Sequence, residues 1–171
     1  GLPQQEPHIG RPLSPYGLTK HLDELYAALF ARCYGASSIG LRYFNVFGPR
    51  QDPHSQYAAV IPRFIAACDD GSSPVIFGDG EQSRDFTFVD NIVDANVSAM
   101  AAQEIAQGVY NVACGERISL NELVRILGGF AGREVQPAYA PHRPGDIKHP
   151  IVREALKLTG RAKPFRLVTV V

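Results

Sequence analysis

Apolar residues recur at helical spacing near the start of the chain. Ser14 and Pro15 suit the N-cap and first turn of a helix, and Gly35 suits its end. Between them, apolar residues three or four apart form one stripe: Leu18, Leu22, Leu25, Leu29 and Cys33. Tyr16 and Lys20 fall on the opposite side. The pattern predicts a helix whose leucine face serves a core or a self-association surface, with a polar pair on its back.

Strand-like and helix-like segments alternate along the rest of the chain. Strands are predicted at 38–47, 75–77, 85–88 and 108–112, and helices at 61–68, from Asp90 onward, and from a capping box at Ser119 to Leu127. Residues 134–150 are expected to form a loop, and 151–160 to be weakly helical. This alternation predicts the α/β class. A dinucleotide-binding fold also opens with a Gly-rich turn, which this sequence lacks. Either the protein does not use a nicotinamide cofactor, or the chain is the C-terminal half of a longer protein.

Composition narrows the function classes. With 171 residues and 45% hydrophobic content, one domain with a real core is expected. Seventeen basic residues balance seventeen acidic ones, which gives no argument for nucleic acid or an anionic membrane. No apolar run reaches the length of a membrane span. Three cysteines without a CxxC pair favour reduced thiols in the cytoplasm, and the histidines form no metal-binding motif.

The spacing of Tyr16 and Lys20 has a chemical consequence. On a helix, residues four apart share a face, so an ammonium lies near a phenol. A neighbouring cation favours the phenolate, and lowering a tyrosine pKa from about 10 to near 7 requires roughly 4 kcal/mol. Such a tyrosine can exchange a proton with a substrate hydroxyl near neutral pH. Taken alone, the pair could equally be a chance contact on a helix surface.

Several strings, in order, carry a resemblance to a known family. They are Ser-Pro-Tyr-Gly-Leu-Thr-Lys (14–20), Leu-Arg-Tyr-Phe-Asn-Val-Phe-Gly-Pro-Arg-Gln (41–51), Tyr-Ala-Ala-Val-Ile-Pro-Arg-Phe (57–64), Gly-Asp-Gly-Glu-Gln-Ser-Arg-Asp-Phe (78–86), Val-Tyr-Asn-Val-Ala (109–113) and Arg-Pro-Gly-Asp (143–146). The chain resembles extended short-chain dehydrogenases/reductases of the NAD-dependent epimerase/dehydratase family, and most of all UDP-glucose and UDP-N-acetylglucosamine 4-epimerases. Together these strings are far more specific than a lone YxxxK.

The resemblance implies a fold and its division. The chain would be the C-terminal part of a Rossmann-like protein together with a small α/β substrate-binding domain, without the Gly-rich N-terminal half. Residues 1–56 would be a remnant of the dinucleotide-binding domain. Residues 57–171 would mainly bind the UDP-sugar, with 85–112 partly returning to the Rossmann sheet. The Ser or Thr that polarises the sugar hydroxyl in this family would precede Gly1.

The resemblance also implies the catalytic and cofactor contacts. Tyr16 would be the acid/base, and Lys20 would lower its pKa and hold the nicotinamide ribose of NAD. Tyr43 and Phe44 would lie beside the nicotinamide. Asn45 would contact the diphosphate or the sugar. The alternative for residues 43–45 is ordinary packing at the end of a strand.

By the resemblance, six further positions would bind the UDP-sugar, and together they are called the UDP grip. Arg84 and Arg143 would hold the diphosphate, because planar guanidiniums meet it with forked donors. Asp146 would accept from the ribose hydroxyls. Val60 and Phe77 would wall the uracil, and Pro150 would leave room for an N-acetyl group. The competing readings are an ion pair of Arg84 with a nearby acid and a solvated loop pair at 143 and 146.

The implied function is that of the C-terminal, substrate-binding fragment of an NAD-dependent UDP-sugar 4-epimerase, acting through a transient 4-keto sugar. The fragment alone would be inactive, and the intact protein would be a cytoplasmic homodimer paired through the 16–34 helix. Two alternatives stay open. One is a nucleotide-sugar dehydratase or decarboxylase of the same superfamily. The other is a non-catalytic nucleotide-binding module or remnant.

Overall fold

The computed structural model describes residues 12, 14–54, 59–101 and 108–142 and the backbone of 166–168. Its helices are α1 (Pro15–Tyr34), α2 (Val60–Asp70), α3 (Val89–Ala101) and α4 (Leu120–Phe130). Its strands are β1 (Ile39–Tyr43), β2 (Val46–Phe47), β3 (Val75–Phe77), β4 (Ser83–Arg84), β5 (Thr87–Phe88), β6 (Gly108–Ala113), β7 (Ile118–Ser119), β8 (Ala138–Ala140) and β9 (Arg166–Val168). Helices and strands alternate, which confirms the α/β class.

The largest sheet of the described residues has the strand order β1-β6-β9. Strand β1 runs parallel to β6, with Ile39 opposite Gly108 and Tyr43 opposite Val112, and β9 pairs antiparallel on the far side of β6. Three two-stranded pairings accompany it: β2 with β5 and β3 with β8 in parallel, and β4 with β7 antiparallel. The parallel β1–β6 pair therefore joins residues about 70 apart in sequence, as a crossover connection requires.

Two apolar cores hold these elements. The first lies between α2, α4 and β3, and its buried members are Ile61, Phe64, Ile76, Leu120, Leu123 and Val124. The second packs α3 on the β1–β6 pair through Ile92, Ala95, Tyr110 and Val112. Full burial of a large apolar side chain contributes about 1.5–3 kcal/mol. The first core therefore fixes the segments around β3 and β4, while the second fixes the end of β1.

Helix α1 has the predicted caps. The Ser14 hydroxyl accepts from the N–H of Gly17 at 3.0 Å, and Gly35 ends the helix at a φ of 67°. None of its residues is buried. The leucine face is between 39% exposed at Leu29 and 52% exposed at Leu25, so it belongs to neither described core. Among the described helices, none is both long enough and apolar enough to span a membrane.

The structure corrects several boundaries. The predicted loop 134–150 contains β8, which forms because it pairs with β3. Of the predicted strand 85–88, only Thr87–Phe88 forms a strand (β5), and the preceding strand β4 ends at Arg84. Helix α3 begins at Val89, so Asp90 lies in its first turn rather than capping it. Strand β9 was not predicted, and the helix expected at 151–160 lies outside the described residues. The division at residue 56 stays a prediction.

The three cysteines differ in exposure. Cys33 is exposed on α1, Cys68 is buried in α2, and Cys114 is half-buried after β6, and all three are free thiols. Burial is the main cause that raises the pKa of both Cys68 and Cys114 above the ordinary value of a thiol.

Candidate functional site

Tyr16 and Lys20 lie on the same face of the first turns of α1. The Lys20 ammonium is 5.9 Å from the centroid of the Tyr16 ring, and the Tyr16 side chain is 68% exposed. Lys20 Nζ also donates to Asp23 Oδ2 at 2.9 Å, and this hydrogen bond is the main cause that raises the pKa of Lys20. The predicted pair is thus adjacent in space. Its catalytic role stays a prediction.

One turn further along α1, Glu24 makes a forked ion pair with Arg42 of β1. Arg42 Nε donates to Glu24 Oε1 at 2.6 Å, and Nη2 donates to Oε2 at 2.7 Å. Both side chains are mostly covered, with 25% exposure for Arg42 and 20% for Glu24. This pair was not predicted from the sequence. A possible signal was the position of Glu24, eight residues after Tyr16 and so on an adjacent part of the same helix surface.

Strand β1 ends in the residues expected beside a nicotinamide. Tyr43 is 46% exposed, and its hydroxyl donates to Asn96 Oδ1 of α3 at 3.0 Å. The N–H of Phe44 continues the pairing with β6 by donating to the Val112 carbonyl at 3.2 Å. These residues therefore lie at the carboxyl end of a parallel strand pair, where α/β sheets usually bind ligands.

Asn45 joins this strand end to the segment that presents Arg84. It adopts the left-handed backbone region with a φ of 38°. Its side-chain amide donates to the Asp85 carbonyl at 2.9 Å, and its own carbonyl accepts from the N–H of Thr87 at 3.3 Å. Two predicted substrate contacts, Asn45 and Arg84, are thereby held beside one another although 39 residues apart in sequence.

Asp85 is the buried anchor of this segment. Its side chain is 2% exposed, and its carboxylate accepts from the N–H groups of Cys114 at 2.9 Å and Gly115 at 2.8 Å. Burial raises the pKa of Asp85, while the two N–H groups act in the opposite direction because they favour the charged form. This anchoring role of Asp85 was not predicted from the sequence. Its actual partners are backbone groups of the turn after β6.

The other end of the Arg84 segment is held by Asn121 at the start of α4. The Asn121 amide donates to the Asp79 carbonyl at 3.2 Å and to Glu81 Oε1 at 2.6 Å, and Asn121 Oδ1 accepts from the Tyr139 hydroxyl at 3.0 Å. Gly80, at a φ of 77°, lies so close that a Cβ there would overlap the Asn121 amide. The turn before Arg84 is therefore fixed against α4.

Arg84 itself is half-buried in β4, and its Nη1 donates to the Ser83 carbonyl at 3.0 Å. The predicted apolar walls lie on different elements. Val60 packs against the first core, and Phe77 is half-buried at the end of β3. The predicted sites Arg143, Asp146 and Pro150 lie outside the described residues.

The chain that leads to those undescribed sites passes close to Phe77. The His142 ring lies directly against Gly78, which has a φ of 98° and no room for a Cβ on that side. The Gly78 N–H also donates to the Ala140 carbonyl at 2.8 Å. Within the described part of the chain, no group of three or more His, Cys, Asp or Glu side chains is placed to hold a metal ion.

A parallel strand pair with a Tyr-x-x-x-Lys helix before it in the chain is typical of a Rossmann-like α/β protein. The model of the NAD dependent epimerase/dehydratase family matches residues 2–113. This chain belongs to that family.

Individual relatives agree with this assignment. UDP-glucose 4-epimerase of Mycolicibacterium smegmatis is 36% identical over 146 residues, which are 85% of this chain and 46% of the relative. UDP-N-acetylglucosamine 4-epimerase from Methanobrevibacter ruminantium, solved with UDP-N-acetylmuramic acid, is 47% identical with a TM-score of 0.83, covering 88% of this chain and 48% of that one. UDP-glucuronic acid 4-epimerase from Bacillus cereus, solved with UDP-glucuronic acid and NAD, is 30% identical with a TM-score of 0.80, covering 88% and 47%. The chain spans about half the length of each.

Proposed function

We propose that this chain is the C-terminal, substrate-binding half of an NAD-dependent UDP-sugar 4-epimerase. The observations that support this most are two contacts among the predicted site residues. One is the Tyr16–Lys20 pair on a single helix face. The other is the link from Asn45 to the segment of Arg84. Relatives that match over most of the chain are 4-epimerases of UDP-sugars.

In this proposal Tyr16 moves the proton. Its phenolate oxygen takes the proton of the sugar 4-hydroxyl and later returns it, and the 4-keto sugar turns over between the two events. The Lys20 ammonium favours the phenolate electrostatically. It also offers donors to the ribose hydroxyls of the cofactor. Both roles need Lys20 to share its donors with groups other than Asp23.

The residues at the end of β1 suit the nicotinamide end of NAD. When bound, NAD would supply reversible hydride transfer at C4 of the sugar. Tyr43 presents a half-exposed ring at the carboxyl end of the strand pair, and Phe44 follows it. We assign these two residues to packing beside the cofactor and to excluding water there.

The grip on UDP is assigned to a second group. Arg84 and Arg143 hold the diphosphate, since forked guanidinium donors match its oxygens. Asp146 accepts from the ribose. The support for a fixed Arg84 is the double anchoring of its segment, by Asp85 on one side and Asn121 on the other.

The remaining contacts are assigned to the base and the sugar. Val60 and Phe77 wall the uracil, and the small Pro150 leaves room for an N-acetyl group. If the full-length enzyme turns over UDP-glucose but refuses UDP-N-acetylglucosamine, the role of Pro150 is wrong.

We further propose a cytoplasmic homodimer that pairs through the 16–34 helix. The support is the exposed leucine face, which neither described core covers. Large exposed apolar patches are usual at protein–protein interfaces. Sedimentation of wild type and of a Leu22→Glu, Leu25→Glu variant checks this. A monomeric wild type would contradict it.

The activity is tested with a matched pair of variants of the full-length protein. Turnover of UDP-glucose and UDP-N-acetylglucosamine is followed by NMR of the C4 configuration. Tyr16→Phe removes the proton acceptor, so kcat should fall by about 10²–10⁴. Tyr34→Phe makes the same change at an exposed position at the far end of α1 and should keep full turnover. Water loss or CO2 release would indicate a dehydratase or decarboxylase instead.

Ligand titration of this chain alone distinguishes the proposed function from that of a non-catalytic module or remnant. Calorimetric titration should show binding of UDP and no tight binding of NAD, and no epimerisation. Binding of neither ligand would indicate a remnant. Tight NAD binding by this chain alone would contradict the division of the cofactor site that we propose.

A further inference from the structure

We propose that Glu24 and Arg42 are positioning residues of the reaction, and that their ion pair holds the Tyr16–Lys20 face of α1 in register with the end of β1. The proposal rests on the proposed function. It concerns two side chains that contact neither the sugar nor the cofactor in that scheme. They act through the helix and the strand to which they belong.

The helix needs such a fixed point. Within the described part of the chain α1 buries none of its residues, so apolar contacts inside one chain restrain its rotation and sliding only weakly. The forked pair joins two planar groups through two short hydrogen bonds, which fixes direction as well as distance. Because both side chains are largely covered, the pair is screened less by water and salt than the surface pair of Lys20 with Asp23.

The position of the pair matters as much as its strength. Glu24 follows Lys20 by four residues and Tyr16 by eight, which is about 12 Å along the helix axis. Arg42 precedes Tyr43 directly and Asn45 by three residues. One contact therefore sets the dyad on one element relative to the predicted nicotinamide and sugar contacts on the other.

The ion pair also neutralises the Glu24 carboxylate, the acidic group one turn from Lys20. A free Glu24 carboxylate would lie one turn from the Lys20 ammonium, at a spacing where opposite charges on a helix attract. Arg42 occupies both oxygens of Glu24. It thereby removes a competitor for the ammonium that the phenol needs.

The anchoring of Arg84, the described arginine of the UDP grip, does not involve α1. Arg84 lies in a segment held by Asp85 and Asn121 and by the first core. Loss of the ion pair should therefore lower the rate of the chemical step and leave nucleotide affinity in place. A merely structural role would weaken both together.

The test uses the full-length protein with NAD bound and the UDP-sugar that wild type turns over. Arg42→Met keeps a long apolar stem and removes the fork, and kcat should fall by about 10–100-fold, the scale of a misplacement of about 1 Å. The Kd for UDP should change less than about twofold. Arg125→Met is the matched control, because it breaks the Arg125–Glu122 pair on the exposed side of α4, and it should keep the wild-type kcat.

Two further variants distinguish loss of the ion pair from a general folding defect. Arg42→Lys keeps the charge without the fork and should give a kcat between wild type and Arg42→Met. The exchange of both residues, Glu24→Arg with Arg42→Glu, rebuilds the pair in reverse and should recover most of the lost kcat.

The outcomes are distinguishable. A wild type that does not epimerise any UDP-sugar would overturn the proposed function and this inference with it. An active wild type with an unchanged kcat in Arg42→Met would overturn the inference alone. Equal losses of kcat and UDP affinity, without recovery in the exchanged pair, would also overturn it.

Discussion

Asp85 offers the sharpest test of how the site segment is held. Asp85→Asn keeps the size of the side chain but replaces two acceptor oxygens by one oxygen and one NH2 group. The N–H groups of Cys114 and Gly115 both point at this side chain, at 2.9 and 2.8 Å. One of them must therefore face another donor in the variant.

The magnitude follows from these contacts. Leaving one buried donor without an acceptor costs about 1–3 kcal/mol. The variant gains something back, because it no longer buries a carboxylate, and the same burial raises the pKa of Asp85 in wild type. We expect the free energy of unfolding to fall by about 2 kcal/mol, because the relief from burying a charge offsets only part of the cost of the unsatisfied donor. For a chain of this size that corresponds to a Tm lower by roughly 4–8 °C.

Urea unfolding followed by far-UV circular dichroism measures the change. Asp94→Asn is the control, because Asp94 is exposed on α3 and loses the same charge. Its midpoint should stay within error of wild type. If Asp85→Asn and Asp94→Asn unfold at the same urea concentration, the carboxylate does not hold the turn after β6 and the reasoning is refuted.

Three further predictions concern neighbouring contacts. Gly80→Ala should destabilise the chain more than Gly71→Ala, because both glycines have positive φ but only Gly80 faces the Asn121 amide; equal thermal shifts would contradict this. Arg125 lowers the pKa of Glu122, so their pair should add stability above the unfolded value of about 4.5, lost as the pH falls through the lower folded value. The stability difference between wild type and Arg125→Met should therefore vanish in acid, and a difference that persists would refute the pairing. Arg84→Met should weaken UDP binding by about 10-fold or more, the scale of one charge-assisted hydrogen bond, and unchanged calorimetric affinity would exclude Arg84 from the grip.

The predictable part of the fold is the part decided by neighbours in sequence. Ser14 and Gly35 cap α1 as predicted, and Ser119 accepts from the N–H of Glu122 at the start of α4. The strand predicted at 85–88 begins only at Thr87, because the Asp85 side chain binds the turn after β6, nearly 30 residues away. Strand β8 was predicted as loop because its stability comes from pairing with β3, more than 60 residues earlier.

The same division applies to the candidate site. The spacing of Tyr16 and Lys20 follows from helix geometry alone. The Asn45 bond to the Asp85 carbonyl and the Glu24–Arg42 ion pair each join separate elements. No local pattern in the sequence selects such partners, because several acids and bases could have met instead.

The uneven exposure of the three thiols has a practical consequence. Cys33 lies on the leucine face of α1 and is exposed to solvent. Cys68 is buried and Cys114 is half-buried, and their raised pKa values leave less reactive thiolate. A maleimide fluorophore should therefore attach at residue 33 first, without any engineered position. Energy transfer between donor- and acceptor-labelled copies would then report directly on whether two chains meet along this helix.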